Sequence, residues 1–315
     1  MISELLTGIF YLLIFPGFLF LLICSWAFEW IDRKVIARIQ GRIGPPWYQP
    51  IADFFKLIAK EDILPTGSRT LMAVFLPAIS LAAVLTAGLY IPIVGFSAFS
   101  FEGDFIVIMF LLSIPTLAYF LAGWISVGVY SLMGGNRSLL QYFSYEVPFL
   151  LALSGPAIMG ESWRITQIIN SQYAYGWYAI FQPLGFVLAI IGLIGKLKRD
   201  PLDIPKAKSE IVTGPLNEFT GRKLGLWHMA LNMQSVVGLF LIVDLFLGAP
   251  RNEVIILNIL VFIVKVMLLL IVLSSTGSLF ARLRIDQLAN FGWRILVPLS
   301  LAQLVVIIMM GVTLG

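Results

Sequence analysis

The stretch VIILNILVFIVKVMLLLIVLSSTG, residues 254–277, decides the fold class because it is apolar along almost its whole length. A helix of about 20 apolar residues, rising 1.5 Å per residue, crosses the roughly 30 Å hydrocarbon core of a bilayer. Comparable runs recur along the chain, and we predict eight transmembrane helices at about 5–28, 71–94, 105–127, 138–159, 177–195, 224–247, 254–277 and 295–314. The sequence therefore predicts an all-α integral membrane protein, with residues 1–315 forming a single polytopic membrane domain.

The composition of the chain excludes several classes of protein. Of its 315 residues, 59% are hydrophobic and 12% are charged, and its mean hydropathy is +0.95. Soluble domains carry about a quarter charged residues, so a soluble globular protein is excluded. Cys24 is the only cysteine, which excludes a Cys-ligated iron–sulfur cluster or zinc site within this chain. The first hydrophobic run is expected to be a retained helix rather than a cleaved signal peptide.

Positive charge is concentrated in alternate connections between the predicted spans. Eighteen of the 21 Lys and Arg residues lie in the first, third, fifth and seventh connections, whereas Arg164 and Arg251 lie on the opposite face. By the positive-inside rule, the basic face is cytoplasmic and both termini lie outside the cell membrane. We expect long cytoplasmic loops at about 29–70 and 196–223. Their bases either set topology and contact lipid head groups or form a docking face for a cytoplasmic partner, and we do not expect nucleic-acid binding.

The two long loops differ in their predicted local structure. Pro45-Pro46 ends any helix in the first loop, and after Pro50 apolar residues recur with helical spacing opposite Asp53 and Lys56. This pattern predicts a short amphipathic helix at the cytoplasmic membrane surface. The second loop contains three prolines and two glycines, which argue against one long helix. Its carboxylates are either solvated or folded into a polar cavity.

Two ionisable residues lie well inside predicted spans. A charge at the bilayer centre costs about 3 kcal/mol, so such a residue normally has a partner or a function. We expect Glu146, in SYEVPF, to act as a proton or cation relay, with a structural ion pair as the alternative. Pro148 and Pro156 are expected to free backbone carbonyls for a hydrated path beside it. Lys265, in FIVKVML, should need a carboxylate partner or lose its proton, and Asp244 is expected to be interfacial.

Four polar stretches carry a further signal. They are RIQGRIGP at 38–45 with Asp53 and KED at 60–62, GGNR at 134–137 with SYEVP at 144–148, PLDIPKA at 201–207 with Glu210 and Glu218, and RLRIDQL at 282–288 with WR at 293–294. In order, spacing and predicted span layout, nearly the whole chain resembles the H subunit of the proton-pumping NADH–quinone oxidoreductase, respiratory complex I. It also resembles the counterparts of that protein in membrane-bound nickel–iron hydrogenases.

The resemblance implies a membrane anchor and coupling subunit without a redox centre of its own. Iron–sulfur clusters, and in the hydrogenase branch a nickel–iron centre, would lie in partner subunits. The implied partners are peripheral hydrogenase-like large and small subunits, a ferredoxin-like iron–sulfur subunit and antiporter-like membrane subunits. We assign an ion-translocation path to Glu146, Asp203, Glu210, Glu218 and Lys265. The interface with the redox arm is assigned to Arg38, Arg42, Asp62, Arg137, Arg282, Arg284 and Asp286.

Two departures distinguish this chain from complex I members. Its first loop is shorter after Gly44, and Lys206 and Lys208 stand where complex I members place acidic residues. These departures favour a ferredoxin-dependent complex that evolves hydrogen or reduces sulfur species. The alternatives are the quinone-binding H subunit of an NADH–quinone oxidoreductase and, from another class, a stand-alone secondary transporter. The absence of a convincing internal repeat in the sequence argues against the transporter.

Overall fold

A computed structural model describes residues 2–63, 65, 67–249 and 254–314, and within them the chain is built from helices. The first seven are α1 (Ile2–Leu13), α2 (Phe18–Ile39), α3 (Gln49–Ala59), α4 (Thr70–Tyr90), α5 (Asp104–Ile125), α6 (Val129–Met159) and α7 (Ile165–Tyr175). The other seven are α8 (Tyr178–Phe181), α9 (Pro183–Leu197), α10 (Lys208–Ile211), α11 (Gly221–Ile242), α12 (Ile255–Leu279), α13 (Ile285–Phe291) and α14 (Val297–Leu314). The prediction of an all-α membrane protein is confirmed.

Six helical stretches in the described part of the chain are long and apolar enough to cross a membrane. They are Leu6–Ile39, Thr70–Tyr90, Asp104–Ile125, Gly221–Leu247, Ile255–Leu279 and Ile285–Met310. The other two predicted spans coincide with α6, which is long but more polar, and with the apolar α9, which has 15 residues. The count of eight spans and the outside location of both termini therefore stay predictions.

The first long connection contains more helix than the sequence suggested. The charged segment after residue 28 continues α2 as far as Ile39. Within this segment, Arg33 binds Asp53 of α3 at 2.7 Å. The predicted amphipathic helix is present as α3, with Pro50 in its first turn. A proline is tolerated there because the first N–H groups of a helix have no partner within the helix.

The second long connection folds back into the protein instead of extending into solvent. Most of its apolar side chains are buried, namely Leu202, Ile204, Ala207, Ile211, Leu216 and Phe219, whereas Val212 is exposed. The side-chain amide of Gln141 on α6 donates hydrogen bonds to the carbonyls of Gly195, at 2.8 Å, and Leu202, at 2.7 Å. As expected from its prolines and glycines, the segment contains only the short α10 and a 3₁₀ turn at Gly214–Leu216.

Two glycines let α9 lie unusually close to α6. A Cβ atom on Gly192 would lie 2.5 Å from the ring of Phe149, and one on Gly195 would lie 2.8 Å from the ring of Tyr145. No ordinary side chain fits at such distances, so the missing Cβ atoms set the separation of the two helices. This close approach brings the last turn of α9 next to the middle of α6.

Candidate functional site

Glu146 lies in the middle of α6 and forms a buried ion pair with Lys196 of α9. The Lys196 Nζ atom is 2.7 Å from Oε1 and 2.9 Å from Oε2 of Glu146. The Ser113 hydroxyl on α5 donates a third hydrogen bond to Oε1, at 2.5 Å. Glu146 is 4% exposed and Lys196 is 1% exposed. Three helices thus meet at one carboxylate whose two oxygens are both bound.

The ion pair is surrounded by apolar and aromatic side chains. The Lys196 Nζ atom lies 5.1 Å from the centroid of the Phe149 ring. The hydroxyl of the neighbouring Tyr145 is buried and donates to the Thr116 hydroxyl at 3.4 Å. In such low-dielectric surroundings either charge alone is costly, and the pair is stable because each member neutralises the other. α6 continues through Pro148 and Pro156, so both prolines lie inside one helix.

Lys198 is a second buried lysine, just beyond the end of α9. It is 2% exposed, and its Nζ atom lies 4.5 Å from the centroid of the Tyr119 ring. The Nζ atom has no hydrogen-bond partner among the described residues. Burial lowers the pKa of Lys198 from 10.5 to about 7, and the nearby positive charges of Lys206 and Lys196 contribute to this lowering.

A polar cavity of about 200 Å³ adjoins Lys198 at the junction of α2, α9 and α11. Its charged lining residues are Glu29, Asp32, Arg33, Lys198, Arg199 and Lys206. Arg199 binds Asp32 at 2.7 Å, and Ser274 of α12 donates to the same Asp32 oxygen at 2.6 Å. We call this space the inner cavity.

A neighbouring cleft of about 330 Å³ lies between α2, α3 and α11, and it shares Glu29 and Arg33 with the inner cavity. Arg33 forms ion pairs with both Glu29 and Asp53. Burial alone would raise the pKa of Asp53, but the hydrogen bonds from Arg33 and Gln49 outweigh it and hold that pKa below its usual range. We call this space the α3 cleft.

A larger charged cavity of about 590 Å³ gathers residues that are far apart in the sequence. Its charged lining residues are Arg137, Glu210, Arg282, Arg284 and Asp286. Arg137 binds Glu210 at 2.5 Å, and this hydrogen bond lowers the pKa of Glu210. Arg282 lies 3.4 Å from Asp203, whose pKa burial raises. We call this space the outer loop cavity. It brings together five residues that the sequence analysis assigned separately to the ion-translocation path and to the interface with the redox arm.

The other assigned residues do not lie in that cavity. Asp62 accepts the backbone N–H of Arg222 at 2.6 Å, at the beginning of α11. Glu218 accepts the backbone N–H of Val127 at 2.9 Å. Arg38 lies in the last turn of α2 and Arg42 lies just beyond it, and both are exposed. Asp62 and Glu218 therefore join loops to helices, whereas the two arginines lie where a partner could reach them.

Lys265 binds backbone carbonyls, whereas the sequence analysis expected it either to pair with a carboxylate or to lose its proton. Its Nζ atom donates to the carbonyls of Leu247, at 2.8 Å, and Gly248, at 2.9 Å. These carbonyls lie at the end of a π-helical turn, Val243–Leu247, where the regular α-helical bonding is interrupted. Asp244 is completely buried within the protein, and its carboxylate oxygens have no hydrogen-bond partner among the described residues. The predicted opposite-face residue Arg251 lies outside the described residues.

Sequence reasoning missed the residues that bind Glu146. It assigned Lys196 and Lys198 to a cytoplasmic loop and did not consider Ser113. The available signal was GLIGKLK at 192–198, where two glycines on one helical face precede the lysines and indicate a close helix contact. In the part of the chain that the structure describes, no group of three His, Cys, Asp or Glu residues could hold a metal ion.

The fold and the site define a multi-pass α-helical membrane protein in which buried charges lie beside cavities lined by charged loops. A family model described as NADH dehydrogenase matches residues 11–308, and the chain belongs to this family. Within that family it is a membrane subunit of a complex I-related assembly, similar to the H subunit of complex I.

Curated relatives and a solved structure agree with this assignment. The H subunit of NADH-quinone oxidoreductase from Carboxydothermus hydrogenoformans is 32% identical over 87% of this chain and 81% of its own length. The corresponding protein of Dehalococcoides mccartyi is 32% identical over 94% of this chain and 84% of its own length. A chain of the membrane-bound sulfane sulfur reductase, an archaeal respiratory membrane complex, superposes with a TM-score of 0.85 at 29% identity, covering 92% of this chain and 96% of that chain.

Proposed function

We propose that this chain is the non-redox membrane anchor and coupling subunit of a ferredoxin-dependent oxidoreductase, either a sulfur-reducing complex or a hydrogen-evolving hydrogenase. The observation that carries the proposal is the buried Glu146–Lys196 pair. A charged pair buried in a membrane domain costs stability unless hydrogen bonds satisfy both groups. Its position beside charged cavities is what a step in ion translocation requires.

The coupling would be electrostatic. Glu146 and Lys196 lie in low-dielectric surroundings, where a change of charge nearby alters the protonation equilibrium of the pair. Each unit of pKa change corresponds to about 1.36 kcal/mol. Electron transfer in the peripheral arm would change charge at the loop cavities, and the ion pair would pass the response to antiporter-like subunits in the membrane.

The outer loop cavity would receive the peripheral arm. Arg282 and Arg284 precede α13, and Arg137 reaches the same space from α6, so three arginines from two distant segments line one recess. The partners expected there are hydrogenase-like large and small subunits and a ferredoxin-like iron–sulfur subunit. Iron–sulfur clusters, and a nickel–iron centre in a hydrogenase, would be held by those chains.

The anchoring role is tested by purifying the tagged chain with its complex in mild detergent and measuring metals and activities. We expect iron, partner subunits and electron uptake from reduced ferredoxin. Sulfane sulfur reduction without nickel would identify the sulfur-reducing branch, and nickel with hydrogen evolution the hydrogenase branch. A chain that purifies alone, without metal, and transports a solute in liposomes would contradict the proposal and favour a secondary transporter.

The coupling role is tested with Glu146→Gln in the complete complex reconstituted into vesicles. Glutamine keeps the shape of the side chain but cannot carry the charge. We expect at least a tenfold loss of ion translocation per electron, with partner subunits still bound. The control is Glu102→Gln, an exposed carboxylate in the connection between α4 and α5. Full coupling in Glu146→Gln would contradict the role given to Glu146.

A second candidate is a quinone-reducing complex. Two observations favour it: the curated relatives are NADH-quinone oxidoreductase subunits, and the α3 cleft between α2, α3 and α11 has room for a ligand. This candidate predicts that quinone copurifies with the complex and that quinone-site inhibitors stop electron transfer. The first proposal predicts electron transfer to sulfane sulfur or protons that continues in the presence of these inhibitors.

A further inference from the structure

One face of α5 carries a stripe of buried hydroxyl groups. Ser113, Thr116 and Tyr119 are spaced three residues apart, so they lie on one side of the helix. They are 8%, 1% and 0% exposed. At 1.5 Å per residue the stripe extends about 9 Å along the helix axis. Such groups can both donate and accept hydrogen bonds, and a buried row of them in an apolar helix needs an explanation.

Each member of the stripe meets a residue of the candidate site. Ser113 binds Glu146 at 2.5 Å, Thr116 accepts from Tyr145 at 3.4 Å, and the ring of Tyr119 lies under Lys198 at 4.5 Å. The Tyr119 hydroxyl has no hydrogen-bond partner among the described residues. The stripe therefore begins at the buried ion pair and ends at Lys198.

The chain at the end of α9 places Lys196 and Lys198 at opposite ends of this stripe. Lys198 adopts a left-handed backbone conformation, with φ of 51° and ψ of 49°, directly after the last helical residue Leu197. Lys196 consequently binds Glu146, whereas Lys198 lies over Tyr119 and lines the inner cavity. The inner cavity is polar and large enough to hold several water molecules.

Lys198 gains and loses its proton near neutral pH. Its pKa is about 7 because burial removes the ammonium from water. The charged and titratable groups that act on it or line the same cavity are Tyr119 of α5, Glu146 of α6, Lys196 of α9, Arg199, Asp203 and Lys206 of the following loop, and Glu29, Asp32 and Arg33 of α2. Acids and bases are mixed in this set, so no single charge fixes Lys198 in one state.

We propose that Lys198 is a proton carrier between water in the inner cavity and the Glu146–Lys196 pair, with the hydroxyl stripe of α5 as the connection. The Lys198 ammonium releases its proton toward the Glu146 carboxylate and becomes a neutral amine, with mobile water carrying the proton between hydroxyls of the stripe that are not bonded to one another. The amine then takes a proton from water in the inner cavity, so charge and protons balance. The inference rests on the proposed coupling function and adds the route by which protons reach Glu146.

Lys198→Arg separates proton transfer from positive charge. Arginine keeps the charge and can stack on Tyr119, but it does not release its proton in proteins. In the reconstituted complex we expect Lys198→Arg and Lys198→Met both to lose at least tenfold in ion translocation per electron, with electron transfer and subunit composition retained. The matched control is Lys223→Arg, a partly exposed lysine at the start of α11.

A pH profile adds a measurement that a purely structural role would not change. The translocation rate of the wild type should change through a midpoint near pH 7, and this midpoint should be absent in Lys198→Arg. Normal translocation in Lys198→Arg with loss in Lys198→Met would reduce Lys198 to a structural charge and overturn the inference. Normal translocation in both variants would also overturn the inference. If Glu146→Gln is uncoupled in the same assay, only the route through Lys198 fails, whereas full coupling in Glu146→Gln contradicts the coupling function itself.

Discussion

Glu146 and Lys196 are tolerated inside the membrane domain only because each is present for the other. The three hydrogen bonds at the Glu146 carboxylate satisfy both oxygens, and the partners come from α5 and α9. A buried pair of this kind contributes little net stability compared with apolar residues of the same size, but removal of one partner leaves an uncompensated charge. The pair is therefore better explained by its use than by its contribution to folding.

Replacing one member of the pair should destabilise the protein, and replacing both should restore most of the lost stability. Lys196→Met leaves the buried Glu146 carboxylate without its cation and should lower the free energy of unfolding by about 3–5 kcal/mol. The double variant Glu146→Leu with Lys196→Met should regain most of that loss, yet it should not translocate ions. Thermal unfolding in detergent measures the stabilities, with the exposed Lys60→Met as control. Wild-type stability of Lys196→Met would contradict the pairing.

Lys198 should make stability depend on pH in the alkaline range. In the unfolded chain its pKa returns to 10.5, whereas in the folded protein it is about 7. Between these values the unfolded state binds more protons, so the free energy of unfolding should rise with pH, by at most about 1.36 kcal/mol per pH unit. Lys198→Met should remove this rise, and Lys223→Met should not. Unfolding midpoints measured from pH 7 to pH 10 give the difference, and parallel curves for wild type and Lys198→Met would exclude the lowered pKa.

The sequence identified one half of this site and not the other, for a physical reason. Glu146 stands out in the sequence because it is a charged residue inside an apolar run. Lys196 and Lys198 follow the end of an apolar run, which is where ordinary topological bases are found. Their burial depends on the return of residues 199–220 into the protein, which is a tertiary contact. The same return brings Glu210 to Arg137 and Asp203 to Arg282.

Among the helices, the contact between α6 and α9 determines whether the ion pair can form. Gly192→Ala would place a Cβ atom 2.5 Å from the buried Phe149 ring and force the helices apart. Overpacking of this kind costs about 1–3 kcal/mol, and the separation should also weaken coupling. Gly8→Ala on α1 is the matched control, because a Cβ there meets nothing within 4 Å and alanine favours helix. Thermal unfolding should give changes of opposite sign, and equal changes would contradict the close contact.

The predicted spans and the observed helices differ where polar sequence is held by tertiary contacts. α6 begins at Val129, because the glycine-rich segment 134–137 is helical and packs on the turn at Gly214–Leu216. α2 continues to Ile39, and its Arg33 pairs with Asp53 of α3. α7 has a polar sequence that gave no span signal. Apolar periodicity therefore locates the membrane-crossing segments, but it does not determine where their polar ends stop.

For the molecule as a whole, the surface agrees with a lipid environment. α12 leaves Ile255, Ile256, Leu260, Val264 and Leu268 more than half exposed, whereas α11 is mostly buried. Apolar side chains on the outside are normal where the surrounding solvent is hydrocarbon. α11 is accordingly the central helix of the bundle, and the inner cavity and the α3 cleft lie beside it.

The charge distribution makes a topological prediction that the whole molecule must satisfy. If the basic loops are cytoplasmic, Lys60 lies inside the cell and Glu102, in the next connection, lies outside. In a Cys24→Ala background, which removes the only native cysteine, a membrane-impermeant maleimide applied to intact cells should label Glu102→Cys and should label Lys60→Cys only after the membrane is opened. Both positions are exposed on this chain. The reverse pattern would invert the topology and place the loop cavities away from any cytoplasmic electron donor, which would contradict the proposed function together with the orientation.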